Sequence, residues 1–193
     1  MTVPLWERGQ EGGRTRPINQ DNAYKNLCEI YDILQYFGVK CCLSHGTLLG
    51  AYRENNIIDT DDDVDLWADI DSVKDRIELE DFIRKRGFYV PPLGDKTKPV
   101  NPKENAPYSD TVAIKNGEKV EVWWFKKEGD YYYYDIYRPN SNQYIHHQKF
   151  YEPLSSIDFR GKKFNIPSFT EEWLVMAYGE NWKIPNSKDK YFV

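Results

Sequence analysis

Five aspartates, Asp59, Asp61, Asp62, Asp63 and Asp65, fall within seven positions, just ahead of the apolar stretch that begins at Leu66. If Asp63-Val64-Asp65-Leu66-Trp67 is extended, its alternation sends Val64 and Leu66 to one face and both Asp63 and Asp65 to the other. Carboxylates so close raise one another's pKa, and a hard divalent cation would relieve the conflict. Oxygen-only ligands with room left for substrate phosphates suit Mg²⁺ or Mn²⁺. An EF-hand loop does not fit. Starting it at Asp59 puts Val64 where the turn glycine belongs and Ile70 where the bidentate glutamate belongs, and starting it at Asp61 puts Leu66 and Ser72 there. A solvated acidic loop is the competing reading.

Upstream, Cys41-Cys42-Leu43 leads into Ser44-His45-Gly46-Thr47, which opens a helix running to Arg53. Gly46 lets the backbone come close to a ligand, and the helix start offers unpaired N–H groups to an anion such as phosphate. His45 either touches a phosphate or leaving group or is an incidental loop histidine. Arg53, about two helical turns further on, either reaches a phosphate or braces an aspartate. Asp61 and Asp62 are read as supporting hydrogen-bond partners or caps. Downstream, Thr111 to Lys115 and Lys119 to Phe125 read as strands joined by Asn116-Gly117, a strong hairpin signal. In the second strand Val120, Val122 and Trp124 share one face, leaving Glu121 and Trp123 on the other. An ionised glutamate among apolar neighbours either sits at an exposed edge or faces something cationic.

Gly46-Thr47-Leu48-Leu49-Gly50-Ala51-Tyr52-Arg53, a short spacer with Ile58, then Asp61-Asp62-Asp63-Val64-Asp65, resembles the signature of the LicD and fukutin-related phosphotransferases. The Pro-Trp pair usual before the aspartates in that family is replaced by Asp59-Thr60, with the metal positions intact. Glu121-Val122-Trp123-Trp124-Phe125 is similar to the family's Asp-Ile-Phe stretch, with Glu for Asp. Tyr178-Gly179-Glu180-Asn181-Trp182 and Pro185 resemble its ending, so the likeness spans about residues 24 to 185. The resemblance implies a nucleotidyltransferase-like α+β fold, a mixed β-sheet with helices packed on one face. It implies Asp63, Asp65 and Glu121 as catalytic metal ligands, with Glu121 alternatively the base, and Gly46 and Thr47 at the phosphates. It further implies a CDP-linked donor carrying a phosphocholine- or alditol-phosphate-like group, a glycan hydroxyl as acceptor, and CMP as the leaving product. Nucleotidyl transfer to a protein or small molecule, and a non-catalytic sugar- or cation-binding module, remain open alternatives.

The elements that must hold these residues are readable in outline. A length of 193 residues predicts one domain over 19–193 behind a polar, flexible arm at 1–18. Leu27, Ile30, Tyr31, Leu34 and Phe37 recur at helical spacing, with Asn19 or Asp21 as cap and Gly38 as terminator. Cys41 to Ser44 and Val64 to Ile70 read as strands, and Leu79 to Arg86 as a helix. The Pro-rich stretch 91–107 reads as a loop, and Tyr131 to Tyr137 and Gln143 to Phe150 as strands whose tyrosines pack. His146 and His147 point apart on a strand and receive no role. Ser168 with Glu171 reads as a capping box for a helix ending at Gly179. At 40% hydrophobic and 16% aromatic the chain is too apolar to be disordered, and a net charge of −5 argues against a nucleic-acid polymer as partner. Cys28, Cys41 and Cys42 fit neither a disulfide framework nor a zinc site, which points to a reducing, cytoplasmic setting. No stretch is apolar for long enough to span a bilayer. Lumenal relatives often carry an anchor, so a eukaryotic source would shift the expectation to the Golgi lumen.

Overall fold

Asn19 closes the start of the first helix: its side-chain oxygen accepts from Asn22 N–H at 3.0 Å, and α1 runs Gln20–Tyr36 with Leu27, Ile30 and Leu34 fully buried. Gly38, at φ +73°, ends it as expected. The computed structural model describes residues 17–91, 110–134 and 145–185. The expected arm lies outside these apart from Pro17 and Ile18, the latter part of the core, and the Pro-rich loop lies outside them apart from Pro91.

After α1 come β1 (Cys41–Leu43), α2 (His45–Glu54), β2 (Val64–Asp69), α3 (Arg76–Lys85), β3 (Thr111–Lys115), β4 (Glu118–Glu128), β5 (Tyr131–Tyr134), β6 (Ile145–His147), β7 (Ser155–Phe159), β8 (Lys162–Ile166) and α4 (Thr170–Tyr178). The main sheet runs β1-β2-β4-β5-β6, with β3 also on β4. The β2–β4 pair is parallel and the others antiparallel, so the sheet is mixed and the fold α+β, as expected. Asn116 (φ +53°) and Gly117 (φ +76°) make the two-residue β3–β4 turn. The buried Asn26 amide of α1 donates to the carbonyls flanking that turn, Lys115 at 2.6 Å and Glu118 at 3.1 Å. The helix thereby fixes where β4 begins.

The sheet has two unlike faces. Val64, Leu66, Ala68, Val120, Val122 and Trp124 are fully buried toward the helical layer, where the Arg76 guanidinium of α3 lies 5.1 Å over the Trp124 ring. The other face carries Asp65, Trp67 and Asp69 of β2 beside Glu121, Trp123 and Phe125 of β4, in register Asp65↔Glu121, Trp67↔Trp123 and Asp69↔Phe125. Its middle is aromatic. Trp67 stacks on Tyr151 at 4.1 Å, Tyr132 meets both rings edge-on, and the Trp173 indole of α4 donates to the Tyr151 hydroxyl.

Three local expectations change, and one element is new. The β6 strand stops at His147, whose Nδ1 accepts from Lys149 N–H and starts a short 3₁₀ turn over Gln148–Phe150 in place of further strand. Ser168 is no helix cap: its hydroxyl donates to the Pro153 carbonyl, α4 begins at Thr170 behind Phe169 (φ +53°), and Glu171 pairs with Lys183. The α3 helix starts at Arg76, a turn early, because Asp75 caps it through Glu78 N–H. The β7–β8 hairpin was not anticipated, since Arg160-Gly161 makes the same left-handed pair of turn residues (φ +50° and +83°) without the Asn-Gly signal.

Candidate active site

At one end of the carboxylate-bearing face, oxygens of Asp63, Asp65 and Glu121 lie within 4.8 Å of one another. Strand pairing is the cause. Parallel register sets Asp65 directly beside Glu121, and Asp63 enters from the residue just before β2. Three carboxylates that close form an all-oxygen set of the kind a hard divalent cation takes. Asp61, Asp62 and Asp63 form a second such group in the preceding turn, with Asp62 exposed.

The set is held from several sides. The Thr47 hydroxyl of α2 accepts from Asp65 N–H at 2.7 Å, and the Trp123 indole donates to Asp65 Oδ1 at 3.0 Å. Lys119, two positions before Glu121 on the same strand face, puts its ammonium 2.7 Å from Asp63 Oδ2 and 2.7 Å from Glu121 Oε1. Gly46 is tight against Asp61, whose Oδ2 lies 2.1 Å from where a Cβ would be. The close approach that this glycine permits is therefore made by a carboxylate of the chain itself.

Crowding and burial set the electrostatics. Burial first, then Asp63, Glu121 and Asp61, push Asp65 well above the usual carboxylate range. Burial and Asp63 push Asp61 up to about 7. Glu121 is raised by burial and Asp63 against the opposing pull of Lys119. Burial alone would lower Lys119, but Asp63 and Glu121 outweigh it and hold the ammonium charged. Lys119 pairs with two of these four acidic groups, so among the described residues the acids of the site outnumber their cationic partners.

The remaining candidates are placed differently. His45 is the first residue of α2, buried at φ +46°, with its ring 4.5 Å from Trp123; burial pulls it down to about 3 and keeps it neutral. Arg53 pairs with its neighbour Glu54 at 2.6 Å and donates to the Trp182 carbonyl at 3.2 Å, tying α2 to the segment after α4. Lys119 and Trp123 were missed as site residues. The i, i+2 spacing about Glu121 would have found both, since it puts 119, 121 and 123 on one face. His146 is buried with its Nδ1 2.6 Å from the Tyr151 hydroxyl, a packing role.

The nucleotidyltransferase-domain model of LicD/FKTN/FKRP matches residues 38–168, which include the α2 start, the aspartates and Glu121. The chain belongs to this family. It is 30% identical to the ribitol-5-phosphate transferase FKTN of Homo sapiens over 152 residues, covering 79% of the chain and 31% of that protein. An uncharacterized protein of Caenorhabditis elegans is 26% identical over 210 residues, covering 99% of the chain and 53% of the relative. The chain therefore spans from about a third to about half of the length of these relatives. Among solved structures, the antibiotic-resistance factor ANT(2'')-Ia aligns at TM-score 0.47 and 14% identity, covering 78% of this chain and 67% of the other. A nucleotidyltransferase of Thermotoga maritima, described as putative, aligns at 0.46 and 16%, covering 82% and 84%. No helix among the described residues is long and apolar enough to cross a membrane.

Proposed function

We propose that this domain transfers a substituted phosphate group, alditol-phosphate- or phosphocholine-like, from a CDP-linked donor to a glycan hydroxyl. The observation that carries the reading is the convergence of Asp63, Asp65 and Glu121 beside the α2 start, in a family that includes a ribitol-5-phosphate transferase. In the reaction the acceptor oxygen bonds to the phosphorus of the transferred group. The bond from that phosphorus to the bridging oxygen of the diphosphate breaks, and CMP leaves with the electron pair. The acceptor's proton passes to a base, a role for Glu121 that is the alternative to its being a metal ligand.

Asp63, Asp65 and Glu121 would hold Mg²⁺ or Mn²⁺, which when bound neutralises the charge that builds on the diphosphate. Thr47 and Trp123 fix Asp65 in place, through its backbone N–H and its carboxylate respectively, so that this ligand needs little reorganisation. Gly46 and Thr47 at the α2 start are the proposed phosphate contacts. His45, buried against Trp123, braces this corner and is the further candidate for the donor side. Arg53 serves the site indirectly, by anchoring α2.

The test is incubation of the protein with CDP-ribitol or CDP-choline, a glycan acceptor and Mn²⁺, with products separated by chromatography. Release of CMP with a phosphodiester-modified glycan is expected, and Asp65→Asn and Glu121→Gln should abolish or sharply reduce it while the protein stays folded. Cytidine nucleotides should also raise the melting temperature selectively, since a ligand at a hundred times its Kd adds about 2.7 kcal/mol. In a parallel incubation with CTP as donor, release of pyrophosphate with CMP attached to the acceptor would replace this reading with nucleotidyl transfer. No turnover and no cytidine-dependent stabilisation with Mn²⁺ would refute both.

A further inference from the structure

The most unusual contact in the site is the one Lys119 makes. Its ammonium bridges Asp63 Oδ2 and Glu121 Oε1 at 2.7 Å each, and these are two of the three carboxylates within metal-sharing distance. The side chain is about one-third exposed, whereas those of Asp63 and Glu121 are only 15% and 17% exposed. A lysine that paired only for surface electrostatics would not need to enter so covered a pair of acids. Its backbone is not free to withdraw either. Lys119 is the second residue of β4, paired with Ile114 of β3, and the hairpin is clamped to α1 through Asn26. Only the flexible side chain can leave.

We propose that Lys119 is a built-in competitor for the divalent cation: its ammonium holds Asp63 and Glu121 together in the metal-free protein and gives them up when the ion enters. This rests on the metal site proposed above. A single positive charge on a four-carbon stem is a fitting placeholder, because it neutralises part of the acid cluster without demanding the coordination number of a metal. Two consequences follow. The metal-free site stays assembled in spite of its crowded carboxylates, and metal affinity is set below what those carboxylates alone would give, since each entering ion must displace an ion pair and tolerate a cation nearby.

Titration calorimetry of Mn²⁺ at fixed pH and salt, into wild type, Lys119→Met and Lys119→Arg, tests this without recourse to turnover. Lys119→Met keeps the stem and removes the charge, and should bind Mn²⁺ at least tenfold more tightly. Its metal-free melting temperature should fall, and saturating Mn²⁺ should raise it by more than it raises that of wild type. Lys119→Arg keeps the charge, and should retain wild-type affinity to within a few-fold and the wild-type metal-free melting temperature. Equal or weaker Mn²⁺ binding by a folded Lys119→Met would overturn the competitor role while leaving the metal site standing. Absence of Mn²⁺ binding by all three proteins would overturn both. Should Lys119→Met fail to fold without metal, refolding it in Mn²⁺ decides the matter: recovery of the native circular-dichroism spectrum supports the placeholder role, and failure to recover rejects it.

Discussion

Replacing Gly46 by alanine should separate two reasons for a glycine at the head of α2. A ligand-approach role predicts a loss of activity with an intact fold. The structure adds a second demand, because a Cβ on residue 46 would lie 2.1 Å from Asp61 Oδ2 and 3.1 Å from Asp61 Cγ. The first distance is too short to persist and the second is tight, so the Asp61 carboxylate must rotate or its backbone must shift. Asp61 N–H donates to the Ile58 carbonyl and Asp61 Oδ1 accepts from Asp62 N–H, so moving the side chain disturbs the turn that leads into β2. Overpacking of this sort costs about 1–3 kcal/mol. Gly46→Ala should therefore destabilise the metal-free protein by roughly 1–3 kcal/mol, read from urea midpoints at constant slope. In an Asp61→Ala background the obstructing carboxylate is gone, and Gly46→Ala should then cost less than about 1 kcal/mol. The coupling from that double-mutant cycle is the decisive quantity. If Gly46→Ala costs the same in both backgrounds, Asp61 is not the reason for the glycine.

Other groups give further expectations. Hydrogen bonds from Lys127, then from Tyr132, and with them Lys40, hold Glu152 down to about 2. A depressed carboxylate contributes stability that is present above its ordinary value near 4.5 and lost as pH falls toward 2. Glu152→Gln should accordingly flatten the acid limb of a stability–pH curve below about 4.5, by less than about 1 kcal/mol because the pair is partly exposed. A wild-type curve with the same shape as the variant's would exclude this. Behind the sheet, Glu80 is 2% exposed and accepts from Arg76 at 3.0 Å and from Thr111 at 2.8 Å, while the Trp124 indole donates to Thr111 at 2.9 Å. Glu80→Ala leaves Arg76 facing Trp124 without this carboxylate and should cost about 3–5 kcal/mol by denaturant unfolding. A loss under about 1 kcal/mol would mean that water or a rearranged Arg76 replaces the pair.

What could be read from residues alone follows how local each signal is. The β3–β4 turn was readable because Asn-Gly carries its own backbone preference, whereas Arg160-Gly161 builds the same turn with only half the signal, its arginine held by Asp21 of α1 and by Asn55 after α2. Asp63 and Asp65 were readable as partners because two-residue alternation is a property of one strand. That Glu121 joins them depends on parallel register between segments more than fifty residues apart, which no local pattern contains; only the family resemblance supplied it. Ser168-x-x-Glu171 fits a capping box, yet the Pro153 carbonyl takes the hydroxyl and Lys183 the carboxylate, so tertiary partners outcompete the helix end.

Lys119 shows the opposite case, a residue whose position was computable and whose meaning was not. Alternation alone puts it on the Glu121 face, but a lysine beside a glutamate on a strand edge ordinarily signals a solvated pair. What makes it different is Asp63, delivered to the same ammonium by the residue preceding β2. On the proposal made above, the same juxtaposition would let this acid-rich corner fold before any ion arrives. Asp63 and Glu121 each keep one strong partner, Asp65 keeps the Trp123 indole and its backbone bond to Thr47, and the charge that remains unbalanced is what a divalent cation would answer.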